Sequence, residues 1–171
     1  MPSKIRKSTA SYGTGANWTV MLFAAGLLII ASPAMAEAPL DALNGSWAGG
    51  GTLTFDDGGS EKLNCNGYYK SAGGQNLSVV IRCKGSATSF ELRSKLSVNG
   101  DKVTGSWEER TYNATGGASG TSSPGKLQVN FSGSLTGTLS MSYSASGVSV
   151  SVSVGTAGAG IKSAQVSLRR Q

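Results

Sequence analysis

Few residues in this chain could do chemistry. Cys65 and Cys83 are its two cysteines, and histidine is absent. Without histidine, Ser-His-Asp and Cys-His nucleophile systems and most zinc hydrolases are excluded. A cysteine pair without histidine also makes a poor zinc site. No Gly-Lys-Ser/Thr run is present to cradle a phosphate. Carboxylates are what is left. Glu108 and Glu109 are adjacent, so on a strand they face opposite sides and cannot work together as a glycosidase pair. Glu109 would share the inward face with Trp107, where a charge must be paired or bind something; at the strand's end it would simply be solvated. Asp56-Asp57-Gly58-Gly59 contains two acids that could suggest calcium, but the run reads as a turn. The expectation is a non-enzyme with no catalytic residue, cofactor or metal.

The compartment follows from the N-terminus. Lys4, Arg6 and Lys7 precede an apolar run over residues 20–31, which is followed by Ala34-Met35-Ala36. This order of positive region, apolar stretch and Ala-x-Ala site predicts a signal peptide over residues 1–36, cleaved after Ala36. Ser32-Pro33 ends the apolar run well short of the about 20 residues a spanning helix needs. The expected product is one exported domain over residues 37–171, periplasmic or extracellular, without a transmembrane span. Of the 15 basic residues three lie in the signal, and none of the 9 acidic ones does. The processed chain therefore carries +3 rather than the +6 of the whole. With no basic run interleaved with stacking aromatics, nucleic acid is not expected as a partner.

The elements that must position any site are strands. Val148, Val150, Val152 and Val154 alternate with serines, and Phe90, Leu92, Leu96 and Val98 alternate with polar residues. Such period-two patterns predict strands with one buried and one wet face. Ten are expected, over 45–55, 61–70, 76–84, 88–98, 101–111, 114–121, 126–132, 134–144, 147–154 and 162–170; merging of weak ones would leave eight. Asn99-Gly100 predicts a two-residue hairpin loop, pairing Val98 with Asp101, Leu96 with Val103 and Leu92 with Trp107. In an oxidising compartment a disulfide is the default for Cys65 and Cys83. Setting them opposite each other places Tyr69 opposite Val79, apolar against apolar. Short turns make successive strands antiparallel neighbours. A meander of this kind loses its exposed edges by closing into an up-and-down barrel of 8–10 strands; a two-sheet β-sandwich is the alternative.

Gly45-Ser46-Trp47, at the start of the first strand, resembles the Gly-x-Trp that opens lipocalins and avidins, the calycin group. The resemblance implies that the tryptophan packs across one barrel end against a basic side chain from the last strand. That strand ends Leu168-Arg169-Arg170, and by parity Arg170 shares the face of Val166 and Leu168. Trp47 and Arg170 are thus expected to close one end through a cation–π contact.

Three functional readings remain. The first is a non-catalytic binding module for a small ligand or an envelope protein, with Phe55, Tyr69, Phe90, Trp107, Glu109, Phe131 and Tyr143 as candidate interior or ligand-lining residues. The second is a hydrolase inhibitor acting through the segment 108–113. The third is a small outer-membrane barrel. Against the third, the nine aromatics after residue 36 form no girdles, and the chain ends Arg-Arg-Gln.

Overall fold

In the computed structural model, residues 39–156 and 159–171 are described; the expected signal peptide and its cleavage site lie outside them. A 3-10 turn, Leu40–Leu43, leads into ten strands. They are β1 (Gly45–Phe55), β2 (Ser60–Ala72), β3 (Asn76–Lys84), β4 (Ser89–Asn99), β5 (Lys102–Glu109), β6 (Ala114–Ser123), β7 (Lys126–Gly133), β8 (Gly137–Tyr143), β9 (Gly147–Val154) and β10 (Ile161–Arg170). Each pairs antiparallel with its sequence neighbours, and β1 pairs with β10 to close the barrel. The fold is an up-and-down barrel of ten strands.

Alternation decides which face goes inside. Val148 and Val150 are buried while Ser149 is exposed, and Leu127 and Val129 are buried between exposed Lys126, Gln128 and Asn130. Cys65 lies opposite Cys83 and Tyr69 opposite Val79, and the cysteines are disulfide-bonded on the core side.

The β4–β5 hairpin departs from the sequence expectation. Its turn is Gly100-Asp101, with Asn99 paired to Lys102 and Val98 to Val103. Gly100 takes a φ of +63° and Asn99 does not, so glycine occupies the first central position, as a type II′ turn requires. The turn centre moves by one residue and every pair by two. Trp107 therefore faces Ser94, and Leu92 faces Glu109. The inward set is unchanged, because a shift of two keeps each side chain on its face.

β8 also starts later than its alternation suggests, at Gly137 rather than residue 134. Gly133, at φ +125°, ends β7 and turns the chain there. Β6, though made of Gly, Ala, Ser and Thr, is a full strand. Its neighbours hold it on both sides through continuous ladders, which supply the order its own side chains do not.

Candidate functional site

The odd-numbered strands run from one end of the bore to the other and the even-numbered strands return, so the ends can be compared residue by residue. At the first end lie the start of β1 and the finish of β10. Trp47 is 0% exposed, its Nε1–H donates to the Leu43 carbonyl at 2.8 Å, and its ring meets Tyr69 edge-on at 6.3 Å. The Arg170 guanidinium sits 4.5 Å from the Trp47 ring centroid. It also donates to the carbonyls of Ala42, Asn44 and Ala145. Arginine's planar fork can stack and bond at once, so one side chain ties the 3-10 turn, the β8–β9 loop and the tryptophan together. Leu43, Tyr143 and Leu168 are buried beside this plug. The end is sealed.

The sequence did not signal the 3-10 turn, although Pro39 ahead of Leu40 and the Leu40/Leu43 spacing are consistent with one. Tyr69 and Tyr143, candidate ligand-lining residues, belong to this end, where Tyr69 is enclosed in the plug and Tyr143 lines a shallow cavity. Burial pushes the Tyr69 phenol well above its ordinary range, and its Oη has no hydrogen-bond partner in the protein.

At the other end, the inward side chains are less enclosed. Phe55, Phe90, Leu92, Trp107, Phe131 and Ile161 are all half-buried. Phe55 and Phe90 pack at the edge of the core. Trp107 on β5 and Phe131 on β7 meet edge-on at 5.8 Å, though β6 lies between their strands. Glycine makes that contact possible. Gly116 of β6 is paired to Trp107, and a Cβ there would strike the Ser132 carbonyl and lie 2.7 Å from Trp107 Nε1. The indole covers the bare backbone and donates to the Ser132 carbonyl at 3.2 Å. Aromatic cover of a strand glycine is a recognised way to stabilise a curved sheet.

Glu109 was expected either on the inward face or solvated at the strand's end. Its carboxylate accepts from the N–H groups of Glu91 (2.9 Å), Thr111 (3.0 Å) and Tyr112 (2.6 Å). It is thus paired by backbone and not aimed into the bore. The β5–β6 loop is pinned at this rim with Tyr112 63% exposed at its tip. The structure therefore brings Phe55, Phe90, Trp107 and Phe131 to one end, assigns Glu109 to the rim, and separates all of them from Tyr69 and Tyr143.

Sequence reasoning missed an ion cluster on the outer wall. Glu91 pairs with Arg82 at 2.8 Å and Arg93 at 2.6 Å, with Arg110 at 4.0 Å. The bonds from Arg82 and Arg93 hold the Glu91 carboxyl down to about 2. Outward parity on each strand was readable, but which rungs meet depends on register. Among the described residues no three acidic or cysteine side chains converge in a metal-holding group, and no helix is long and apolar enough to cross a membrane.

The sequence matches no protein-family model and no curated protein. Its fold resembles that of Rv2717c from M. tuberculosis, with a TM-score of 0.65 at 18% identity over 77% of this chain and 94% of that one. The redesigned β-barrel mFAP1, a structure bound to DFHBI, aligns at a TM-score of 0.47 and 15% identity over 77% of this chain and 98% of that one. At these identities the likeness concerns fold alone.

Proposed function

We propose that the chain is an exported, non-catalytic binding protein that takes a small apolar or mixed ligand at the open end of its bore. The observation that carries this is the difference between the ends. Inward side chains around Trp47 are sealed, while inward aromatics around Trp107 are half-exposed. Apolar side chains left accessible together at a barrel end offer a ligand a surface to bury. The Trp47–Arg170 closure supports a calycin-like design, in which one end is plugged and the other receives the ligand. The export signal over residues 1–36 supports an envelope or extracellular setting. Outward residues such as Lys95, Ser149 and Ser167 are polar, the reverse of a lipid-facing barrel.

The test is native mass spectrometry of protein from its own secreted fraction, compared with the same sample denatured. A small-molecule adduct seen only in the native spectrum, and lost in Trp107→Ala, is the expected result. A bare monomer that also fails to bind hydrophobic dyes would overturn the reading.

One observation favours a protein partner as the second reading. Glu109 pins a short rim loop that presents Tyr112, and rigid exposed aromatics are common interface anchors. On that reading, Tyr112→Ala removes partner capture and leaves dye binding intact.

A further inference from the structure

The outer wall is divided as sharply as the bore. Strands β2–β4 turn cations outward: Lys62 and Lys70 from β2, Arg82 and Lys84 from β3, Arg93 and Lys95 from β4. The outward positions of β8–β10 are mostly hydroxyls and amides, as in Ser140, Ser149, Ser153 and Gln165. A cleft of about 500 Å³ crosses the charged half. Asn64 is opposite Lys84 and Asn66 opposite Arg82, and those two cations are opposite Ser89 and Glu91 in turn. Cys83, Phe90 and Thr111, the last from the pinned rim loop, complete the lining. Tyr68, 48% exposed, lies one rung-step from Arg82 on the same face.

We infer that this cleft binds an acidic glycan, a sugar chain carrying uronic carboxylates. The cleft meets the open end at Phe90 and Thr111, but the inference does not depend on what fills the bore. Asn amides both donate and accept, and Ser and Thr hydroxyls do the same, which suits sugar hydroxyls presented in either sense. Lys84 has no carboxylate within 4.0 Å among the described residues and is placed to take a carboxylate. Arg82 already shares Glu91 and has further donors to offer. Tyr68 supplies a flat apolar face for a sugar ring.

The same features argue against other polyanions. Glu91 is paired with Arg82 and Arg93, which leaves Lys84 as the cation of the lining without a carboxylate partner among the described residues, a match for a spaced carboxylate rather than for a continuous run of phosphates. A membrane surface would want apolar anchors beside the cations, and Tyr68 is the one exposed large hydrophobic on this wall.

The test is calorimetric titration of the purified protein with galacturonate oligomers, beside neutral maltooligosaccharides of equal length. Binding to the charged oligomer alone is expected, weakened roughly ten-fold by raising salt from low to high ionic strength. Lys84→Glu should weaken it by a similar factor, about ten-fold, as reversal of an interfacial charge does, and Tyr68→Ala should weaken it too. Lys126→Glu, on the far wall, should change it less than about two-fold. All these positions are exposed, and an unchanged melting curve shows that each variant is folded. The inference is overturned by absent binding, by equal affinity for the neutral sugar, or by an equal loss in Lys126→Glu. Tighter binding to duplex DNA or to anionic lipid vesicles would also overturn it.

Discussion

Trp47 holds three contacts that are hard to replace together: a buried ring, a hydrogen bond to Leu43 and a stacked guanidinium. Large-to-small changes of buried aromatics cost about 3–5 kcal/mol. Trp47→Ala should therefore lower Tm by more than 10 °C, about 3–5 °C per kcal/mol for a domain of this size. Arg170→Ala should lower Tm as well, because it removes three hydrogen bonds from a charged donor together with the cation–π contact. An unchanged Tm in Trp47→Ala would refute the plug. Tyr69, its neighbour, gives the opposite sign. A buried hydroxyl without a partner costs about 1–3 kcal/mol, and Tyr69 Oη has none in the protein. Tyr69→Phe keeps the ring against Trp47 and removes that oxygen, so its Tm should rise or hold. A clear fall would mean that the hydroxyl is bonded within the bore.

Loops at the element scale are held by carboxylates, and one of them predicts a pH response. Glu61 at the start of β2 accepts from Ala87 N at 2.6 Å and Ser86 Oγ at 2.7 Å, tying down the β3–β4 loop. Those bonds, the Ala87 amide first, lower its carboxyl to about 2. A folded value below the unfolded one means that the stabilisation is complete above the ordinary carboxylate range and disappears as pH falls through about 2. Protection of the amides at residues 85–88, taken relative to the intrinsic exchange rate at each pH, should thus fall between pH 4.5 and 2 in the native protein. Glu61→Gln should be poorly protected at every pH; a pH-dependent loss of protection that survives the substitution would exclude this role. Elements of this kind mark the boundary of what was legible. The strands, their inward faces and the Cys65–Cys83 rung could be read, because alternation and pairing reinforce each other along a strand. The exact β4–β5 register could not, since Asn-Gly is compatible with two turn centres that bury the same residues. Glu61, Glu91 and Glu109 were readable as charges, but their partners come from loops and neighbouring strands whose positions only closure of the barrel determines. Likewise Trp107 and Phe131, 24 residues apart in sequence, meet because β6 between them carries no large side chain.

The barrel over the described residues is a cylinder wall with unlike ends, and a tryptophan reports on each. Beyond residue 36 the chain has two, Trp47 at the sealed end and Trp107 at the other. With Trp18 also replaced by Phe, Trp47→Phe leaves Trp107 as sole reporter, while Trp107→Phe leaves Trp47. Quencher access follows solvent access on the timescale of local opening, and the sealed end opens only with the structures that cover it. Acrylamide should therefore quench the Trp107-only protein readily and the Trp47-only protein hardly at all. An apolar dye should shift the emission of the first and not of the second. The two measurements separate possibilities that stability data would blur. If Trp107 is quenched and no ligand shifts it, the open end is a half-packed rim whose aromatics serve to cover glycine. If Trp107 is as protected as Trp47, both ends are closed and the bore admits nothing. Only exposure together with a ligand-dependent shift at Trp107, with Trp47 silent, matches a barrel that is plugged at one end so that it can bind at the other.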